Sequence, residues 1–263
     1  MRRCGVIGSP IGHSLSPALH QAAYAVLGLD WTYDRAEVSA GGVAQFVAGL
    51  GPEWRGLSVT APCKRAIVEL GQPDAVTTAL GVANTLVFDG VPGDRSATFV
   101  YNTDVPGIQA VLRGLDPAAA VAVWGNGATA RSVAYALAGL GVPQVSVRAR
   151  DGAKTALLAA DGEAWGIRVV AGDVRADVLI STVPGAVAAA WLDDTAPVGL
   201  AFDVIYDPWP TPLATTAAAW GARVATGLDL LAAQAVRQVE LMTGRSVDVA
   251  VLRGAADRAL GIR

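Results

Sequence analysis

The chain has 263 residues, 23 acidic and 20 basic side chains and a formal net charge of −3, with no Lys or Arg cluster dense enough to hold a polyanion, so nucleic acid and anionic membrane are excluded as partners. Apolar residues make up 52% of the chain but fall in short Ala-, Val-, Leu- and Gly-rich elements, and the longest uncharged segments, 132–147 and 178–192, are broken by Gly, Pro, Ser or Thr, short of the ~20 continuous apolar residues of a spanning helix. Met1-Arg2-Arg3 runs straight into Cys4-Gly5-Val6-Ile7-Gly8, too short and glycine-rich for a secretory core, so a cytoplasmic location is expected. Cys4 and Cys63 make no metal-ligand spacing, and no metal is expected.

In chain order, Cys4 to Gly8 reads as a strand, followed by a loop, Ser9 to Pro17, whose Ser16-Pro17 pair reads as a helix cap and first turn. A helix from Pro17 to Leu27 carries Leu19, Ala23, Val26 and Leu27 on one face and stops at Gly28. Ser14 and Ser16 are either loop and cap hydroxyls or a pair of donors suited to a carboxylate ligand. Trp31 to Val38 then alternates as a strand, Gly42 to Leu50 reads as a short helix and Leu57 to Thr60 as another strand. This alternation predicts an α/β unit, in which ligands gather at the carboxyl ends of the strands.

The third strand runs through Ser58-Val59-Thr60-Ala61-Pro62-Cys63 to Lys64. Of the 20 basic residues only Lys64 and Lys154 are lysine; all others are arginine. A sequence that writes positive charge as Arg keeps Lys where the group must release and regain a proton, although a solvated loop lysine is the plain alternative. Further on, Asn84-Thr85 interrupts the apolar run Gly81 to Phe88 with two polar side chains, either a satisfied turn or a ligand contact. A hairpin through Asp89 to Asp94 leads to Ala97–Tyr101 and to Asn102-Thr103-Asp104. Asp104 serves either as the cap of a helix over 105–112 or as the carboxylate that pairs with Lys64.

From about Asp116 the pattern changes. An apolar strand, Ala118 to Trp124, meets Gly125-Asn126-Gly127-Ala128-Thr129-Ala130-Arg131 and a helix to about Leu140. Strand, G-x-G-x-x-A and helix in that order suit a dinucleotide, because small residues let the backbone approach a pyrophosphate at the helix N-terminus. The next strand ends in Arg148-Ala149-Arg150 where an NAD binder would place a carboxylate, and guanidinium there suits a 2′-phosphate; Asp151 beside it would repel the same group. Tyr206-Asp207-Pro208-Trp209-Pro210 is a proline-stiffened turn after a strand, and Gly227 opens a long helix that carries Leu230 and Gln234. A last helix, Val247 to Leu260, is expected to pack onto the first domain.

These blocks, in this order, resemble the shikimate dehydrogenase family over essentially the whole chain: Gly8 to Pro17, Ser58 to Lys64, Val82 to Leu86, Asn102 to Asp104, the glycine loop, Tyr206 with Thr211-Pro212-Leu213, and Gly227 to Gln234. The resemblance implies a two-domain α/β protein, with residues 1–104 plus 229–263 forming an α/β substrate domain and 105–228 a Rossmann-like doubly wound NADP-binding domain. It implies Lys64 and Asp104 as a catalytic acid–base pair for reversible NADPH-dependent reduction of 3-dehydroshikimate to shikimate. It further implies Ser14 and Ser16 on the substrate carboxylate, with Thr60, Asn84, Asp104, Tyr206 and Gln234 on its hydroxyls and ring. Gly125, Asn126, Gly127, Ala128, Thr129, Arg150, Val204 and Gly227 would contact NADP, in a cytoplasmic monomer or homodimer acting on a small molecule.

The chain departs from the family pattern at Ala149-Arg150-Asp151, where Asn-Arg-Thr is common, at Ala128, where a second Gly is usual, and at Leu230, where Met is usual. Quinate/shikimate dehydrogenases tend to carry Thr at the position of Ser16. Methylenetetrahydrofolate dehydrogenases place Tyr where this chain has Thr60. A non-catalytic sensor of the same fold would have no need of both Lys64 and Asp104.

Overall fold

The computed structural model describes residues 1–172 and 175–261. The chain divides into two compact units, one made of 1–107 with 231–263 and the other of 108–230. The sequence places the boundaries at helix starts, after 104 and 228; the structure places them inside two helices. The last two positions of the expected 229–263 segment, 262 and 263, lie outside the described residues.

The first unit contains β1 (Arg2–Gly8), α1 (Ser16–Leu27), β2 (Trp31–Glu37), α2 (Val43–Ala48), β3 (Trp54–Val59), β4 (Gln72–Pro73), α3 (Ala75–Leu80), β5 (Thr85–Phe88), β6 (Thr98–Tyr101) and the start of α4 (Asp104–Val111). Its sheet has the order β2-β1-β3-β5-β6-β4. β1 lies parallel to both β2 and β3, while β5 runs antiparallel to β3 and to β6, as the hairpin through Asp89 to Asp94 requires. Ile7, Leu57, Val59, Leu86, Phe88 and Val100 fill one face of this sheet, each fully or almost fully buried. Burying a side chain such as Leu57 or Phe88 is worth ~2 kcal/mol, enough to fix strand register, because a one-residue slip would turn every such side chain outward.

The expected element order holds, with three local differences. After Lys64, where the sequence suggests a helical patch to Leu70, the chain forms turns and a short 3-10 stretch, Val68–Leu70. α1 begins at Ser16 itself, with Leu15 at the cap position, so Ser16 is the first helical residue and not the cap. Val26 is exposed, because the buried stripe of α1 runs Leu19, His20, Ala23, Tyr24 and stops there. Gly28 ends the helix as expected: with φ 63° it lets Leu29 N–H reach back to the Tyr24 carbonyl at 2.9 Å.

The second unit takes the rest of α4, then β7 (Val121–Trp124), α5 (Ala128–Gly139), β8 (Gln144–Arg148), α6 (Gly152–Trp165), β9 (Arg168–Ala171), β10 (Val178–Ser181), α7 (Gly185–Leu192), β11 (Leu200–Asp203), α8 (Pro212–Ala219) and β12 (Arg223–Thr226). Its six strands lie in the order β12-β11-β10-β7-β8-β9, and every neighbouring pair is parallel. The order reverses direction between β7 and β10, the crevice where doubly wound sheets hold ligands. Ala122, Trp124, Leu179 and Ala201 pack beneath Ala188 of α7 and Leu213 of α8. α9 (Gly227–Thr243) opens in this unit and continues into the first, where α10 (Val249–Ala259) packs on α1. No helix among the described residues is long and apolar enough to cross a membrane.

Candidate active site

Lys64 follows β3 through a turn closed by Cys63 N–H on the Thr60 carbonyl at 2.9 Å, and its own carbonyl accepts from Ala83 N–H at 2.9 Å. The lysine is therefore held by the turn that follows β3 and, through its carbonyl, by the segment that precedes β5. The ammonium lies 2.5 Å from Asp104 Oδ2, with the two side chains only 17% and 9% exposed. Low exposure weakens water's competition for the pair and strengthens its attraction.

Asp104 is free for this because it does not cap its helix. Asn102 Oδ1 accepts from Val105 N–H at 3.2 Å and takes that role, while the Asp104 carboxylate stands in the first turn of α4, where the helix dipole favours negative charge. The other carboxylate oxygen, Oδ1, accepts from Asn84 Nδ2 at 2.8 Å.

Asn84 sits immediately before β5, its carbonyl bonded to Val59 N–H at 2.8 Å and its N–H to the Tyr101 carbonyl at 3.1 Å. Its amide also donates to Gln234 Oε1 at 3.1 Å, and its Oδ1 accepts from Thr103 N–H at 2.8 Å. The polar interruption Asn84-Thr85 is thus a buried, hydrogen-bonded knot, its polar groups satisfied from within the protein. Thr85 and Thr103 join it through their hydroxyls, both on Asn84 Oδ1.

Of the residues the sequence nominates for substrate, the structure joins Lys64, Asp104, Asn84 and Gln234 in one group. Ser14, Ser16 and Thr60 follow the carboxyl ends of β1 and β3. Ser16 N–H points to Ser14 Oγ at 3.4 Å, and Ser16 is buried while Ser14 is half-buried. Thr60 is anchored by its N–H on the Ile7 carbonyl at 2.9 Å. Tyr206 belongs to the second unit, on the loop after β11. Asp203 Oδ1 accepts from Ile205 N–H at 3.1 Å at the root of that loop, and burial pushes the Asp203 carboxyl above its usual range. Cys4 and Cys63 are free and buried; burial pushes the Cys4 thiol up to about 11, which leaves it unreactive at neutral pH.

In the second unit a cavity of about 210 Å³ opens at the glycine loop, between the carboxyl ends of β7, β8 and β10. Gly125, Asn126 and Gly127 line one side and Arg150, Asp151 and Lys154 another. Gly125 has φ +105°, and a Cβ there would strike Thr182 Oγ1, so only glycine fits. Ala128 and Thr129 form the first turn of α5, a helix N-terminus of the kind that suits an anion. Val204 and Gly227 lie outside this cavity but against one another: a Cβ on Gly227 would collide with the Val204 carbonyl.

Arg150 is exposed at the cavity edge, while Arg148 lies over the Trp191 ring at 4.8 Å. Asp151 caps α6, accepting from Lys154 N–H at 3.1 Å, and its other oxygen lies 3.2 Å from Lys154 Nζ. These bonds hold the Asp151 carboxyl below its usual range and match its charge with a cation. The repulsion expected between Asp151 and a phosphate is therefore offset by Lys154, a cavity residue the sequence reading passed over. Asn126 Nδ2 bonds the Asp151 carbonyl at 2.6 Å and Thr155 Oγ1 at 3.0 Å, tying the glycine loop to the Arg150 loop. Glycines that admit a close backbone, a helix N-terminus and two cations fit a dinucleotide with an extra phosphate.

A family model described as the shikimate dehydrogenase substrate binding domain matches residues 6–86, and one described as the shikimate 5'-dehydrogenase C-terminal domain matches residues 227–256. The chain is similar to the shikimate dehydrogenase (NADP(+)) of Oleidesulfovibrio alaskensis, at 36% identity over 97% of this chain and 95% of that relative. Among solved structures it is similar to the shikimate dehydrogenase of Mycobacterium tuberculosis, with a TM-score of 0.90 and 40% identity, covering 98% of this chain and 100% of that one. It is also similar to the shikimate 5-dehydrogenase of Thermus thermophilus solved with NADP(H) and shikimate, with a TM-score of 0.84 and 30% identity, covering 99% and 100%.

Proposed function

The chain belongs to the shikimate dehydrogenase family, and from that premise we propose how its residues divide the work of the reaction. The activity is that of an NADP-dependent oxidoreductase, the reversible reduction of 3-dehydroshikimate to shikimate in chorismate and aromatic amino-acid biosynthesis. In our reading the first unit binds the substrate and the second binds NADP. The enzyme works in the cytoplasm as a monomer or homodimer.

The observation that carries the assignment is the 2.5 Å contact between Lys64 and an Asp104 carboxylate that Asn84 holds from the other side. In the reductive direction Lys64 Nζ gives a proton to the C3 carbonyl oxygen, and in the oxidative direction it takes the proton of the C3 hydroxyl. Asp104 keeps the amine oriented until the proton leaves. Ser14 and Ser16 donate to the substrate carboxylate beside the N-terminus of α1, and Thr60, Asn84, Tyr206 and Gln234 match the remaining hydroxyls. A site of buried hydroxyl and amide partners discriminates strongly, because an analogue lacking a hydroxyl leaves a partner unpaired.

NADP, when bound, supplies or accepts the hydride. Gly125, Asn126, Gly127, Ala128 and Thr129 hold its pyrophosphate, Arg150 with Lys154 its 2′-phosphate, and Val204 with Gly227 the nicotinamide end. The test is absorbance at 340 nm with shikimate or quinate, each with NADP or NAD. Rapid reduction with shikimate and NADP alone supports the reading. Equal rates with quinate or NAD would move the enzyme to the broader quinate/shikimate type, and no activity in any pairing would remove it.

A further inference from the structure

Behind the acid–base pair lies a second buried polar layer that the reaction as described does not use. Its centre is Gln238, one helical turn beyond Gln234 on α9 and 1% exposed. Gln238 Oε1 accepts from Ser58 Oγ at 2.7 Å and faces His20 Nε2 at 3.3 Å, while Ser58 in turn accepts from Tyr33 Oη at 2.6 Å. On its other side Gln238 Nε2 donates to Thr85 Oγ1 at 3.0 Å and to the Asn84 carbonyl at 3.3 Å.

The directions of these bonds follow from donor chemistry. Among the described residues His20 Nδ1 has no partner, so the Nε2–H tautomer is the cheaper one: it leaves a lone pair unmet instead of a buried N–H. Burial pushes His20 down to about 4, so this imidazole stays neutral at working pH, and burial likewise keeps the Tyr33 phenol protonated against the hydrogen bonds of Ser58 and Ser16. With His20 and Ser58 both donating to Oε1, the Gln238 amide can present only N–H toward β5. Thr85 Oγ1 therefore accepts from Gln238 and gives its own proton to Asn84 Oδ1 at 3.1 Å, a nearer acceptor than Thr103 Oγ1 at 3.4 Å.

Thr103 N–H already fills one acceptor position of that oxygen at 2.8 Å, so Thr85 fills the other. The Thr103 hydroxyl, which reaches Asn84 Oδ1 at 3.0 Å or Gln234 Oε1 at 3.2 Å, is then released to Gln234. Both amides of the active site are thereby oriented: Asn84 must turn Nδ2 to Asp104, and Gln234 must turn Oε1 inward to Asn84 and Thr103.

We propose that Gln238 is a positioning residue for the reaction, which sets the direction of a buried hydrogen-bond run from Tyr33 through Ser58, Thr85 and Asn84 to Asp104. The proposal rests on the reading of Lys64 and Asp104 as the acid–base pair. Gln238 touches neither of them and acts through Thr85.

The experiment measures kcat, KM for shikimate and thermal midpoint for Gln238→Met, Gln238→Glu, Thr85→Val, Thr85→Ser and the Gln238→Met/Thr85→Val double variant, with Lys64→Ala as reference. Losing one directional hydrogen bond at Gln238→Met lowers kcat/KM roughly tenfold. Gln238→Glu still accepts from Ser58 and His20 but presents an acceptor to Thr85; the reversed hydroxyl lowers kcat/KM further, by roughly a hundredfold. Thr85→Ser keeps activity within about threefold of the parent, and the double variant is no worse than the weaker single, because both act through one run.

A purely structural role would instead lower the midpoint and leave kcat and KM of the folded enzyme within about twofold, and that result overturns the proposal. Multiplying losses in the double variant overturn it as well. Should Gln238→Met not fold, the comparison of Thr85→Val with Thr85→Ser decides, and equal activity in those two overturns it. Near-parent activity in Lys64→Ala would remove the site reading itself; an inactive Lys64→Ala beside an unaffected Gln238→Met would remove only the role of Gln238.

Discussion

The Lys64–Asp104 pair makes separate demands on stability and on rate, and replacing one member at a time tells the two apart. In Lys64→Met the Asp104 carboxylate, 9% exposed, keeps Asn84 as donor but loses its counter-charge. Breaking a buried ion pair from one side costs ~3–5 kcal/mol, and the 17% exposure left at Lys64 reduces this to roughly 2 kcal/mol. For a protein of this size that lowers the melting midpoint by roughly 4–8 °C. Asp104→Asn, which strands the ammonium, costs a similar amount. The double variant Lys64→Met/Asp104→Asn has neither charge, and its midpoint recovers to within roughly 3 °C of the parent.

Activity behaves differently. Each single variant and the double lose a factor of ~10²–10⁴ in kcat, the usual share of a positioned acid–base group, with KM for shikimate in Lys64→Met within a few-fold of the parent. Differential scanning fluorimetry and steady-state assays at 340 nm give both quantities on the same samples. Additive midpoint losses in the double variant would refute the coupling of the pair. A Lys64→Met enzyme with kcat within tenfold of the parent would refute the proton-transfer role.

Three further expectations rest on other parts of the molecule. Arg150→Ala weakens NADP binding by roughly 10- to 100-fold, the worth of a charge-assisted contact, with little change for NAD, as read by fluorescence titration; equal losses for both cofactors would contradict its place at the 2′-phosphate. Gly227→Ala forces a Cβ against the Val204 carbonyl and lowers the midpoint through a strain of ~1–3 kcal/mol; an unshifted midpoint would show that the approach is not close. His20 is lowered from 6.5 to about 4 by burial, so the unfolded chain binds the extra proton between those values; stability is full above about 6.5 and falls by roughly 3 kcal/mol as pH drops to about 4. Denaturant titrations of the parent and of His20→Leu between pH 4 and 7 test this, and an unchanged slope in the variant would assign the effect elsewhere.

Much of this was legible in the sequence because the chemistry interrupts a pattern. Lys64 stands out in a chain that otherwise writes its cations as arginine, Asn84-Thr85 breaks an apolar run, and Gly125-Asn126-Gly127 opens a helix directly after an apolar strand. The alternation of elements gave the two α/β layers in the right order, since period-2 and period-3.6 burial is local. Val26 failed that logic: it shares the face of Leu19 by angle, but at the last turn of α1 it stands 65% exposed. The competition between Asn102 and Asp104 for the helix cap was not visible either, because both side chains suit it; only the position of Lys64 decides between them. Gln238 gave one faint signal, its spacing of four from Gln234, which places both amides on one face of α9. On an exposed helix that spacing means nothing, so burial had to be known first.

That buried face explains why the layer behind the site is built from neutral groups. A charged residue at position 238 would face His20, Ser58 and Thr85 without a counter-ion and pay the cost of desolvation, whereas an amide offers one donor end and one acceptor end at fixed positions. The main chain of Asn84 is pinned on both sides by Val59 and Tyr101, which leaves the flip of its amide as the remaining freedom. A flipped amide would set Oδ1 against Asp104 Oδ1 and Nδ2 against Thr103 N–H, two repulsive contacts in place of two hydrogen bonds. Direction therefore matters more here than the number of bonds, and a substitution that reverses one donor disturbs the catalytic carboxylate more than one that deletes it.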